Sequence, residues 1–205
     1  MHDYITPGAP FTAEHMVSRS RFLATVWPVS SEEEAAAVLE RVRSEHPAAR
    51  HVVHAFRLTG GIARQSDDGE PSGTAGKPVF SVLCGEGLYN ASITVVRYFG
   101  GVLLGTGGLV AAYSAAAAAA VSGAELLCMR ACVRVGTLLD YDVYNALQPC
   151  FNSEGCRIIG REFSDRVAVT AMVLPGFLEE LRLAIVSASR AQSDIKIFSE
   201  EFFAF

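Results

Sequence analysis

The sequence predicts an α+β chain built from two parts, residues 1–123 and 124–205, and three observations carry that reading. Strand-like runs with apolar residues at period two alternate with runs at helical spacing. Half of the 205 residues are hydrophobic, which is enough to bury a real core. Ser122-Gly123 then closes a long helical run just before the rhythm of the chain changes.

The elements follow in order. Phe11 to Val29 is extended and β-rich, turning near Ser18-Arg19-Ser20. Ser31 with Glu34 three residues on forms a capping box, and Glu32, Glu33 and Glu34 suit the positive end of a helix that stops by Pro47. His51 to Leu58 reads as a strand, followed by a polar loop from Thr59 to Gly76. Pro78 suits the first turn of a short helix. Ala91 to Phe99 is the strongest strand, and after the glycine-rich stretch Gly100 to Gly108 a helix runs through Ala111 to Val121.

Beyond residue 123, Leu126 to Leu139 is a strand. Asp140 stands at the start of a helix with Val143, Leu147, Cys150 and Phe151 on one face, stopped by Gly155. Arg157 to Phe163 and Arg166 to Leu174 form a hairpin about Ser164-Asp165. Pro175-Gly176 introduces a helix with Leu178, Leu181 and Ile185 inward, and Asp194 to Phe203 is a last strand. That order, βαββαβ, is the ferredoxin-like plan. Arg130 and Arg134 alternate with Ala131, Val133 and Val135, so both are expected on the open sheet face.

Composition narrows the functions. The formal net charge is −5, so attraction to polyanions has to be local rather than a property of the whole surface. Lys77 and Lys196 are the only lysines among 17 basic residues, a bias toward the planar, bidentate donor. Apolar runs are interrupted by Arg, Gly and Asp, so no membrane span is expected. The start, Met1-His2-Asp3-Tyr4, has no secretory character, and a cytoplasmic location is expected. Five cysteines, at 84, 128, 132, 150 and 156, include no CxxC pair and read as small buried apolar residues in a reducing compartment.

Two glycine-rich segments each lead into a helix. In the first, Ser66 to Pro78, the Walker A spacing fails at Pro71 and Pro78, yet free amides at a helix start with Lys77 beside them suit an anion. Its acidic residues Asp67, Asp68 and Glu70 either shape the loop or could hold a hard divalent ion. The second segment places Gly100, Gly101, Gly105, Thr106, Gly107 and Gly108 between a strand carrying Arg97 and a helix. That is the setting of a phosphate-binding turn, although Val110 breaks the dinucleotide fingerprint. The competing reading is plain packing of the loop on the sheet. No G-x-S-x-G elbow or HExxH helix occurs, and His51 and His54, three apart on a strand, point to opposite faces.

Ser66-Asp67-Asp68-Gly69-Glu70-Pro71-Ser72-Gly73-Thr74-Ala75-Gly76-Lys77-Pro78, Val95 to Gly101 and Leu104-Gly105-Thr106-Gly107-Gly108-Leu109 closely resemble the motifs of the YigZ/IMPACT family. Ser20-Arg21-Phe22 and the stretch from Glu45 to His51 resemble its earlier landmarks, so the match covers nearly all of residues 10–122. Residues 124–205 resemble the smaller C-terminal domain of bacterial members. The resemblance implies an N-terminal α/β domain like the second domain of a small-subunit ribosomal protein and domain IV of elongation factor G. It implies a ferredoxin-like C-terminal domain and a translation-linked role.

The leading expectation is a non-enzymatic regulator of translation that binds RNA or a ribosomal or translation-factor surface, without a cofactor. Lys77, Arg97 and the loop amides would engage backbone phosphates, with Arg130 and Arg134 extending the contact. Four such cations give a log–log salt slope of roughly −3. The alternative is a small-molecule enzyme that cradles a phosphate or nucleotide on Gly100–Gly108 and holds Mg²⁺ at Asp67, Asp68 and Glu70.

Overall fold

Ala91–Tyr98, the strongest apolar run of the sequence, becomes the middle strand of a five-stranded antiparallel sheet in the computed structural model, which describes residues 2–205. The chain divides into two compact units, Tyr4–Leu127 and Cys128–Phe205 with residues 2–3. Mixed α/β structure fills both, with two antiparallel sheets and six helices among the described residues.

The first unit contains β1 (Tyr4–Pro7), β2 (Phe11–Val17), β3 (Ser20–Pro28), α1 (Glu32–Glu45), β4 (His51–Arg57), β5 (Ala63–Ser66), α2 (Gly76–Gly85), β6 (Ala91–Tyr98) and α3 (Gly105–Gly123). Its sheet runs β2-β3-β6-β4-β5. Ser18 and Arg19 make the β2–β3 turn with positive φ, where the sequence placed it. Period-two alternation sorts the central strands between two layers. Phe22, Val53, Ile93 and Val95 pack under α2 and α3, while Trp27, Val52, Phe56 and Val96 pack under α1. Being covered on both faces explains why β6 reads as a continuous apolar run rather than an alternating one. Thr94 fits inside because it accepts a hydrogen bond from Trp27 Nε1 at 2.9 Å.

Ser31 caps α1 by accepting from the Glu34 amide at 3.2 Å, and Glu34 reaches back to Ser30 rather than to Ser31. Three features depart from the sequence reading. Strand β5 lies inside the stretch expected to be loop, β1 is an additional strand, and α3 starts at Gly105, well before Ala111. By length and composition α3 also qualifies as a membrane-crossing helix, which the sequence reading had excluded. Its Leu109, Ala112, Tyr113, Ala116, Ala117, Ala120 and Val121 are buried in the core, the packing of an internal helix.

The second unit takes up β7 (Leu126–Leu139), α4 (Tyr141–Ala146), α5 (Gln148–Phe151), β8 (Cys156–Phe163), β9 (Val167–Val173), α6 (Pro175–Ala188) and β10 (Lys196–Ala204). Its four strands lie in the order β10-β7-β9-β8, all neighbours antiparallel. Val133, Val135, Val169 and Ala171 pack against Val143, Leu181 and Ile185 of the helices. One helix was expected after Asp140, and Leu147 divides it into α4 and α5. Asp140 stands at the cap position, but its carboxylate accepts from Arg166 Nε at 2.7 Å instead of capping. The cysteines do not share one environment: Cys132 and Cys156 are buried, whereas Cys84 and Cys128 are exposed. Burial pushes the Cys156 thiol up to about 11.

Candidate functional site

Alternation along β6 puts Arg97 on the same face as Ile93 and Val95, beneath the helical layer. A guanidinium there has to be compensated, and the first glycine-rich loop supplies the partner. Arg97 is 7% exposed, and its Nη1 donates to Glu70 Oε1 at 2.6 Å. Tyr113 on α3 donates its hydroxyl to the same oxygen at 2.7 Å. Burial, and then the bond to Glu70, push the Tyr113 phenol far up, so it stays a donor at any ordinary pH. The rings of Phe22 and Phe99 flank the guanidinium at 5.5 and 5.6 Å. Arg97 Nε has no hydrogen-bond partner among the described residues.

Arg97 and Glu70 of this triad line a cavity of about 410 Å³. Arg50, His51, Phe99, Leu103 and Leu104 line it as well, and Gly105 and Thr106 bring in the start of α3. That helix end is open. Its cap position is Leu104, which has no polar group to offer, and no side chain caps the helix. No acidic residue occupies its first turn, so the leading amides and the positive end of a 19-residue helix have no internal counter-charge. Arg50 has no ion-pair partner among the described residues.

The other glycine-rich segment behaves in the opposite way. Asp67 folds its carboxylate into the loop and accepts from the amides of Gly73, Ala75 and Gly76 at 2.8, 3.0 and 2.8 Å. The amides at the start of α2, expected to receive an external anion, are therefore filled by the protein itself. Asp68 accepts from Arg43 Nη2 and from the Val52 amide, and Glu70 faces Arg97 and Tyr113. The three carboxylates turn to three separate sets of donors, and among the described residues no cluster of three His, Cys, Asp or Glu side chains forms a metal-ligand set. All three carboxylates are thus engaged internally, the arrangement of a loop shaped by its own acids.

Burial works against ionisation of Asp67, but its three amide donors outweigh it and hold the carboxyl below the usual aspartate range. The stability it contributes is full above the unfolded value of about 3.9 and is lost as pH falls through the lower folded value. Asp67→Ala is expected to cost about 2–3 kcal/mol in urea unfolding at neutral pH. The gap to the parent protein should narrow in strong acid, and a gap unchanged by pH would contradict the capping role.

The remaining sequence candidates separate. Lys77 is exposed on α2 and does not line the cavity. Gly100 is a packing glycine, since a Cβ there would collide with the backbone of Arg19 and Ser20. Gly101 and Gly105 have positive φ and shape the turn, while Gly108 sits close to Leu104 and Gly107 faces open space. Arg130 and Arg134 belong to the other unit, where Arg130 lies 3.6 Å from Asp3 and Arg134 is exposed and has no ion-pair partner among the described residues. Cys132 between them is buried, so the strand face expected to be open is partly covered.

Sequence reasoning missed Arg50, Tyr113 and the apolar wall of Phe99, Leu103 and Leu104. Arg50 precedes His51, which pairs with Arg97 across β4 and β6, and that register was the available signal.

Residues 18–121 match the family described as Impact N-terminal domain. The chain is 44% identical over 119 residues to IMPACT family member YigZ of Escherichia coli (strain K12), covering 55% of this chain and 57% of that protein. It is 48% identical over 106 residues to a Thermus thermophilus protein described as an IMPACT family member in the pol 5′ region, covering 52% and 57%. To IMPACT family member YvyE of Bacillus subtilis (strain 168) it is 38% identical over 115 residues, covering 55% and 53%. The matched region thus spans little more than half the length of these curated relatives. A crystal structure of a hypothetical protein aligns over 98% of this chain and 100% of its own, with a TM-score of 0.63 and 30% identity.

Proposed function

This chain belongs to the IMPACT family, and from that premise we propose that it is a cytoplasmic, non-enzymatic regulator of translation that acts by binding RNA through the open end of α3. The observation that carries the reading is the contrast between two helix starts. One is filled by Asp67 from within, and the other is left uncapped beside an unpaired Arg50 and a buried Arg97. Backbone amides, a helix end and guanidinium groups are the donors that phosphate takes up. Lys77, exposed and without an ion-pair partner among the described residues, serves as an outlying phosphate contact of the first unit. On the second unit, taken by itself, Arg134 is a separate phosphate contact and Arg130 is weakened by Asp3. Within this reading the second unit is ferredoxin-like, in keeping with its strand order and its helices, and the first is of the ribosomal-protein and elongation-factor type.

Pairing with Glu70 removes Arg97 from the count of free cations, so the salt dependence is shallower than four cations would give. The two free cations of the first unit, Arg50 and Lys77, set a slope of about −1.4 at roughly 0.7 per phosphate on single strands. Fluorescence anisotropy with mixed-sequence single-stranded RNA across a salt series tests this. Lys77→Ala should flatten the slope by about 0.7 without changing sequence preference. Absence of binding, or an affinity indifferent to salt, overturns the proposal.

A further inference from the structure

We propose that the cavity takes the phosphorylated end of an RNA strand, one terminal nucleotide deep, rather than a phosphodiester in mid-strand; this rests on the RNA reading above. Enclosure is the first argument. Arg97, one of the lining residues, is 7% exposed and has an Nε without a hydrogen-bond partner among the described residues. A mid-strand phosphate has to lead chain in and out of the cavity, whereas a chain end has only one strand to lead out. The volume of about 410 Å³ is that of a site for one small ligand.

Charge points the same way. Arg50 and Arg97 against Glu70, with the α3 terminus adding about half a charge, leave the cavity near +1.5. A phosphomonoester carries about −1.5 to −2 at neutral pH, while a diester carries only one charge. The Glu70 carboxylate stays turned to Arg97 and Tyr113, and the anion belongs on the α3 amides and Arg50.

The walls complete the case. Leu103 is 87% exposed and Phe99 51%, a heavy exposure of apolar surface at the mouth of a charged cavity. A base attached to the bound phosphate has a flat face to cover them, and stacking on an aromatic ring serves any base. A bare phosphate leaves them in water.

Short single-stranded RNAs with a 5′-phosphate, a 3′-phosphate or hydroxyl ends only, and AMP and UMP as competitors, test the assignment by anisotropy on the full chain. At least one phosphorylated end should bind about tenfold more tightly than the hydroxyl-ended strand, an advantage lost in Gly107→Asp and reduced in Phe99→Ala. AMP and UMP should displace it. Equal affinity for all ends, with no effect of Gly107→Asp, overturns the chain-end assignment while leaving RNA binding in place. Binding of AMP with no binding of any oligonucleotide overturns both. Thermal unfolding of each variant confirms that a lost advantage is not a lost fold.

Discussion

Replacing Glu70 with alanine is expected to destabilise the first unit by about 3–5 kcal/mol, because it strands the Arg97 guanidinium in the core without its counter-charge. For a protein of this size that corresponds to a fall of roughly 10–15 °C in melting temperature. Three structural facts set the magnitude: both side chains are nearly fully buried, the contact is 2.6 Å, and the same carboxylate also receives Tyr113 at 2.7 Å. Tyr113→Phe removes only that neutral donor and should cost about 1–1.5 kcal/mol. The cause can be isolated by changing both charges together. Glu70→Gln with Arg97→Met leaves no uncompensated ion and should recover most of the loss. Equal damage from the single and the double replacement would show that shape, not charge, holds this corner.

Tyr113 adds a pH signature. Its folded phenol is raised far above the ordinary value of about 10, so its contribution is complete below that pH and is lost as pH rises further. Urea midpoints measured from pH 8 to 11 should therefore fall faster in the parent protein than in Tyr113→Phe.

How much of this was legible in the chain depended on how far each signal had to travel. The strand through Ile93 and Val95 and the cap at Ser31 are written within a few residues, and both formed where expected. Asp67 acts on amides six to nine residues downstream, a loop closure that composition cannot show. The chain therefore left two readings open for it, a loop-shaping cap or a ligand of a divalent ion, and it is the internal occupant of the α2 start. Lys77 read as a site residue because it adjoins those glycines, yet its exposed position on α2 keeps it off the cavity. Gly100 read as part of a cradle, but its lack of a Cβ serves the close approach of Arg19 and Ser20, a contact between distant parts of the chain. Arg50 enters only through the pairing of β4 with β6. The glycines themselves were conspicuous, and what could not be read was which of the two helix starts the protein would fill by itself.

Gly107→Asp settles whether that remaining helix start is a site, because it asks the protein to fill it. A Cβ at Gly107 meets nothing within 4 Å, so the substitution carries no steric cost. Replacing glycine inside a helix recovers about 0.3–0.5 kcal/mol, and an acid in the first turn adds about 0.3–1 kcal/mol through the helix dipole. The variant should accordingly melt a few degrees higher, by roughly 2–4 °C. The same carboxylate adds a negative charge to the first turn of the helix whose amides would hold the phosphate, and a like charge about 5 Å away at the effective dielectric of a protein surface opposes binding by up to about 3 kcal/mol. RNA affinity should fall by about 10- to 100-fold. Stability and binding then move in opposite directions, which general damage to the fold cannot produce. Thr106→Asp, one position earlier on the cavity wall, should repeat the pattern. A variant that gains stability and still binds RNA at parental affinity would show that the uncapped end of α3 is not where the phosphate goes.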